Sequence, residues 1–136
     1  LDMTARELQT QAKTKGLPWS VSKSYDTFAP VSEPVSVDKI SDLTKVGLWC
    51  QVKGEDKKRQ DGTTAHMIWP VVDLVAYIST IFTLEPNDLI FTGTPAGVGP
   101  LKDGDVIFAG MTDLTNGEEI ISMQYDVVRR PEPENL

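Results

Sequence analysis

A mainly-β or α+β fold with short helices is what this 136-residue sequence predicts. Three observations predict it. The segment 46–52 (Val-Gly-Leu-Trp-Cys-Gln-Val) alternates apolar with other residues, the period-two mark of a half-buried strand. Asn116-Gly117 lies between two strand-like runs, and Asn-Gly is the strongest short hairpin signal. Helical periodicity is confined to two stretches, one near the start of the chain and one after Pro70.

In chain order, Thr4 and Glu7 have the spacing of a capping box, with Thr4 at the N-cap. The helix it opens is expected to run to about Lys15, with Lys13 and Lys15 suited to its C-terminus and Gly16 as a left-handed stop. Residues 16–19 (Gly-Leu-Pro-Trp) read as a turn, and 26–43, with Pro30 and Pro34, as loop. After the strand at 46–52, a charged turn from Lys53 to Asp56 leads to a second strand near Arg59-Gln60. The charges from Glu55 to Arg59 read as a solvated tip. Pro70 suits a first helical position, and Val71, Leu74, Val75, Ile78 and Phe82 are expected to form one buried helical face. Leu89 to Thr92 reads as a buried strand, followed by a Gly/Pro-rich loop from Gly93 to Pro100. A turn at 102–105 precedes a strand at 106–109. A hairpin turn spans Leu114 to Glu118, the last strand Ile120 to Val128, and a frayed tail Arg129 to Leu136.

The length fits a single domain, 1–136. Composition excludes several classes. No run of 18 apolar residues suggests a membrane span. One cysteine, Cys50, cannot close an internal disulfide or build a cysteine zinc site, and one histidine, His66, rules out a site needing two within this chain. A net charge of −7 argues against a nucleic-acid partner. Cys50 reads as a small core residue, which fits a reducing compartment, and His66 as structural.

The Gly-rich loop lacks the Gly-Lys-Ser/Thr ending of a P-loop and the spacing of a dinucleotide fingerprint. It is either a tight turn or an anion site built from backbone N–H groups and the Thr94 hydroxyl. Residues 1–25 carry a net charge of +2 within the acidic chain, a field that favours a carboxylate ligand. Arg6 offers the planar guanidinium best suited to clamp a carboxylate, and Lys23, between two serines, is placed to reach into a site.

Taken together, several segments resemble the fumarylacetoacetate hydrolase family and, within it, the acylpyruvases and oxaloacetate decarboxylases. These are 1–9 (Leu-Asp-Met-Thr-Ala-Arg-Glu-Leu-Gln), 15–19, 22–26, Lys53-Gly54-Glu55 with Arg59-Gln60, 62–64, Met67-Ile68, 83–86 and 92–100 (Thr-Gly-Thr-Pro-Ala-Gly-Val-Gly-Pro). The resemblance implies a mixed β-roll, a homodimer and a Mg²⁺ or Mn²⁺ ion, acting on small 2-oxo and β-diketo acids by C–C cleavage beside a carbonyl. By matched position, Asp2 is a metal carboxylate, Lys23 is catalytic, and Arg6, Gln9, Lys23 and Thr94 bind substrate. The family's upstream Glu-x-Glu pair and its His/Glu lid have no counterpart here. The expectation is therefore the C-terminal part of a catalytic domain whose N-terminal portion is missing. Acylpyruvate hydrolysis or oxaloacetate decarboxylation is the activity expected of the intact protein, in the mitochondrial matrix or cytoplasm. The alternatives are a 2-oxo-dienoate hydratase or isomerase, and a non-catalytic piece that folds and binds without turnover.

Overall fold

A computed structural model of the chain describes residues 1–130 and divides it into two units, Leu1–Glu33 and a second that begins at Pro34. Residues 131–136, most of the expected tail, lie outside the described residues.

The first unit is built on two helices, α1 (Arg6–Thr14) and α2 (Ser20–Lys23). The expected capping box does not form. The helix starts one residue later than its spacing requires, with Ala5 at the N-cap and no side-chain cap. The cause lies in the backbone. The Met3 N–H donates to the Phe28 carbonyl and the Ala5 N–H to the Ser22 carbonyl, both at 2.9 Å, which holds 3–5 extended and leaves Thr4 too early to cap. The other end follows the sequence. Gly16 adopts φ +64°, Leu17 N–H bonds back to the Ala12 carbonyl at 2.8 Å and Gly16 N–H to that of Lys13 at 3.2 Å, the two bonds of a Schellman stop. The α2 helix follows directly on the stretch 16–19, which was expected as a turn. Ser22 in it is almost fully buried, and its hydroxyl donates to the Trp19 carbonyl at 2.6 Å.

The second unit is organised by a four-stranded antiparallel sheet: β1 (Val46–Val52), β2 (Gln60–Thr63), β3 (Val106–Asp113) and β4 (Glu119–Asp126), in the order β2-β1-β3-β4. The two central strands supply the core. Val52 pairs with Ile107 and Cys50 with Ala109, and these four residues are buried together with Val46. Each buried valine or isoleucine contributes about 1.5–3 kcal/mol. Burial pushes the Cys50 thiol pKa up, so it is an inert core residue as expected. The β3–β4 register slips by one between Met111 and Thr112, a bulge beside the expected Asn116-Gly117 turn.

Asp113 ends β3 and is 2% exposed. Its carboxylate accepts from the Thr115 hydroxyl, from the Thr115 N–H at 2.8 Å and from the Ser41 N–H at 3.1 Å. The Thr115 bonds foremost hold its pKa well below the ordinary 3.8. A group so depressed stabilises the fold fully above pH 3.8 and loses that contribution as pH falls through the folded-state value. Asp113→Asn should therefore lower the Tm by several degrees at neutral pH. The gap from wild type should narrow only under acid, and a gap independent of pH down to unfolding would count against this role.

Two expectations of burial fail. The helix α3 (Val71–Ser79) forms where expected, one residue after Pro70, but none of its residues is buried, and Phe82 lies past its end and 64% exposed. The segment 89–92 forms no strand, with Leu89 65% and Phe91 50% exposed. It pairs with no strand among the described residues, and an apolar run becomes a strand only when its N–H and C=O groups meet a ladder. No helix among the described residues is long and apolar enough to cross a membrane.

Candidate functional site

In the first unit, four of the sequence-predicted residues meet in pairs. Asp2 precedes α1, and its Oδ2 accepts from the Lys23 ammonium at the end of α2 at 2.8 Å. Both side chains remain partly open to solvent, at 39% and 33% exposure, which leaves the pair reachable by a small ligand. Arg6 and Gln9 sit three apart on α1, on one face, and the Arg6 Nη1 donates to the Gln9 Oε1 at 3.1 Å. The bonds of Met3 and Ala5 that delay the helix also set Asp2 beside α2.

Thr94 lies in the second unit, in the Gly-rich loop. That loop is fastened to β2 by two adjacent residues. The Gln60 Nε2 donates to the Thr94 Oγ1 and to the Pro95 carbonyl, both at 2.8 Å. Arg59 clasps Glu55 through two nitrogens, Nε to Oε2 at 2.9 Å and Nη2 to Oε1 at 2.7 Å, and its Nη1 donates to the Pro100 carbonyl at the far end of the loop. The Arg59 guanidinium holds the Glu55 carboxyl below its ordinary range, and Glu55 raises Arg59 in turn. Gly97, at φ +100°, passes so close to Arg59 that a Cβ would stand 1.8 Å from the Arg59 carbonyl oxygen.

The charged turn is thus only in part a solvated tip. Asp56, Lys57 and Lys58 are exposed, as expected, but Glu55 and Arg59 are half-buried and hold the loop. Sequence reasoning missed Arg59 and Gln60 because their loop partners lie 34 to 41 residues away, and Glu55 because it acts on the loop only through Arg59. The available signals were the i,i+4 spacing of Glu55 and Arg59 and the place of Arg59-Gln60 among the matching segments. His66 closes a single 3-10 turn and is exposed.

Residues 1–124 match the family described as fumarylacetoacetate (FAA) hydrolase C-terminal. The chain belongs to the fumarylacetoacetate hydrolase family. Among its relatives, a mitochondrial oxaloacetate decarboxylase of Dictyostelium discoideum is 53% identical over 130 residues, 96% of this chain and 56% of that protein. A mitochondrial oxaloacetate tautomerase of Arabidopsis thaliana is 49% identical over 133 residues, 98% of this chain and 56% of that protein. The chain thus spans about half the length of the curated relatives it matches. Among solved structures, a yeast fumarylacetoacetate hydrolase family protein superposes with TM-score 0.85 at 44% identity, covering 96% of this chain and 55% of that one. A fumarylpyruvate hydrolase from Pseudomonas aeruginosa, in complex with Mn²⁺ and pyruvate, does so with TM-score 0.82 at 32% identity, covering 95% and 52%. The fold is that of the family, in agreement with the expected class; all four described strands pair antiparallel.

A divalent ion in this family must be tested against the residues present. Mg²⁺ takes about six oxygens, one or two of them from carboxylates and the rest from substrate and water. Asp2 fits as one such carboxylate: it is partly exposed and precedes a helix with no side-chain cap. Among the described residues, no three His, Cys, Asp or Glu side chains gather as a metal site.

Proposed function

We propose that the intact protein is a divalent-metal-dependent enzyme that cleaves a C–C bond beside a carbonyl in small 2-oxo acids, by oxaloacetate decarboxylation or acylpyruvate hydrolysis. The carrying observation is the Asp2–Lys23 pair at 2.8 Å, a carboxylate held against a positive charge with both side chains partly exposed. The described chain is, in this reading, the C-terminal part of a single catalytic domain that works as a homodimer on a Mg²⁺ or Mn²⁺ ion. The Mn²⁺ and pyruvate in the Pseudomonas relative support the ion and the ligand class. The relatives' mitochondrial names support a mitochondrial location over the cytoplasm.

The metal, when bound, supplies Lewis-acid stabilisation of charge at the 2-oxo group. The chain's own residues do the rest. Loss of CO₂ from oxaloacetate leaves the bonding electron pair on the pyruvate enolate, and attack of water on an acylpyruvate releases the same enolate as its leaving group. In this reading Lys23 supplies positive charge to that enolate and the proton that quenches it. Arg6, steadied by Gln9, binds the substrate carboxylate and fixes its orientation. In the second unit, taken by itself, Thr94 offers a hydroxyl hydrogen bond to a carboxylate oxygen. Tautomerisation of oxaloacetate is a second reading, supported by the name of the Arabidopsis relative, and it draws on the same enolate charge.

An assay of the full-length protein tests these readings. Oxaloacetate and acetylpyruvate are supplied with Mg²⁺, and CO₂ release, acetate release and enol absorbance are followed before and after EDTA. Chelator-sensitive release of CO₂ or acetate is expected. Enol–keto exchange alone would replace cleavage by tautomerisation, and no turnover in any channel would remove both readings.

A further inference from the structure

We infer that Gln60 is a positioning residue that sets the direction of the Thr94 hydroxyl, making Thr94 a hydrogen-bond donor toward a carboxylate oxygen. The inference rests on the proposed reading of Thr94 as a carboxylate anchor. The geometry that carries it lies within the second unit.

An amide side chain can present either end, and its partners decide which. Here the Pro95 carbonyl, 2.8 Å from Gln60 Nε2, decides. A carbonyl has no proton to give, so the atom facing it must be the NH₂ group. The second proton of that group meets the Thr94 Oγ1, also at 2.8 Å. Thr94 therefore accepts from Gln60. A hydroxyl has one proton and two lone pairs, so accepting from Gln60 leaves its proton for an outside acceptor. An anionic oxygen is the acceptor that gains most, because charge-assisted bonds are about twice as strong as neutral ones.

Gln60 is well supported for this task. It is the first residue of β2, and its Cα pairs with that of buried Cys50. Arg59 beside it bonds to the Cys50 carbonyl through its N–H at 2.8 Å and reaches the far end of the loop at Pro100. The loop is thus held at both ends by one strand edge. Thr94 itself is exposed and open to a ligand.

The test uses the full-length protein and steady-state kinetics on oxaloacetate, with thermal melts as the folding control. Gln60→Met keeps the length but removes both donors, and should raise KM about threefold with kcat and Tm nearly unchanged. Gln60→Glu places a carboxylate where the Thr94 proton will turn inward, and should raise KM about tenfold. In a Thr94→Val background, Gln60→Met should add nothing, because the hydroxyl it orients is gone. Additive effects of Gln60→Met and Thr94→Val would overturn the inference and leave the function standing. So would a KM for either Gln60 variant equal to wild type. Absence of turnover of both oxaloacetate and acetylpyruvate in the wild type, in every channel followed, would instead overturn the functional reading, and the inference with it.

Discussion

Gly97→Ala in the full-length protein is expected to lower kcat/KM on oxaloacetate by about 10²-fold or more, the scale set by a misplacement of about 1 Å in a binding loop. Two effects combine. At φ +100° an alanine is strained whatever the space around it. Its Cβ would also stand 1.8 Å from the Arg59 carbonyl oxygen and 2.8 Å from the carbonyl carbon, both backbone atoms. Arg59 cannot withdraw, because its N–H is bonded to the Cys50 carbonyl in the core strand at 2.8 Å. The loop must lift instead, and lifting it breaks the Gln60 bonds to Thr94 and Pro95. Overpacking of this kind costs about 1–3 kcal/mol, so a lowered denaturant midpoint should accompany the kinetic loss. Gly93→Ala is the matched control for stability. Gly93 has a similar φ of +105°, but nothing lies within 4 Å of its Cβ position. It should show the strain without the clash and cost less stability. Equal midpoints for the two variants would mean that the contact with Arg59 is unimportant.

The same loop shows where sequence reading reaches its limit. Positive φ at Gly93 and Gly97 and a hydroxyl at Thr94 were legible because each belongs to a single residue. The partners that fix it, Gln60 and Arg59, are 34 to 41 residues away, and no local period encodes such a pairing. The sheet was legible for the complementary reason. Alternation in 46–52 and the Asn116-Gly117 turn are local, and β1 and the β3–β4 hairpin form where they point. Thr4 and Glu7 failed as a capping box because backbone bonds from Met3 and Ala5 to Phe28 and Ser22 outweighed a preference of about 1 kcal/mol. The apolar stripe of α3 and the run 89–92 were expected to be buried and are not: no residue of α3 is buried, and 89–92 joins no strand among the described residues. Periodicity specifies which face is to be covered, and the covering surface is a property of whatever packs against it. Of the predicted site residues, Arg6 and Gln9 meet locally within α1, whereas Asp2 meets Lys23 across 21 residues, held there by the backbone bonds of Met3 and Ala5.

Lys23→Ala has the other large expected effect, and magnitudes separate its catalytic role from a structural one. Removing one electrostatic stabiliser of a developing negative charge lowers kcat by about 10²–10³-fold, or roughly 2.7–4 kcal/mol. The contact Lys23 makes in the structure is an ion pair with Asp2, with a third or more of each side chain exposed. Pairs that open to water contribute about 0–1 kcal/mol to folding. The variant should thus lose about two orders of magnitude in kcat while its Tm scarcely moves. A structural lysine would show the reverse. Lys23→Arg sharpens the distinction: the charge stays, but a rigid planar fork replaces a compact ammonium, and the proton is no longer transferable near neutral pH. Its kcat should stay well below wild type if Lys23 delivers a proton, and recover substantially if charge alone matters. His66→Ala, on an exposed 3-10 turn outside this pairing, should leave kcat near normal. A kcat within about threefold of wild type for Lys23→Ala would place the lysine outside the chemistry, since the loss expected from an electrostatic stabiliser is far larger. The ammonium would then serve only to hold Asp2.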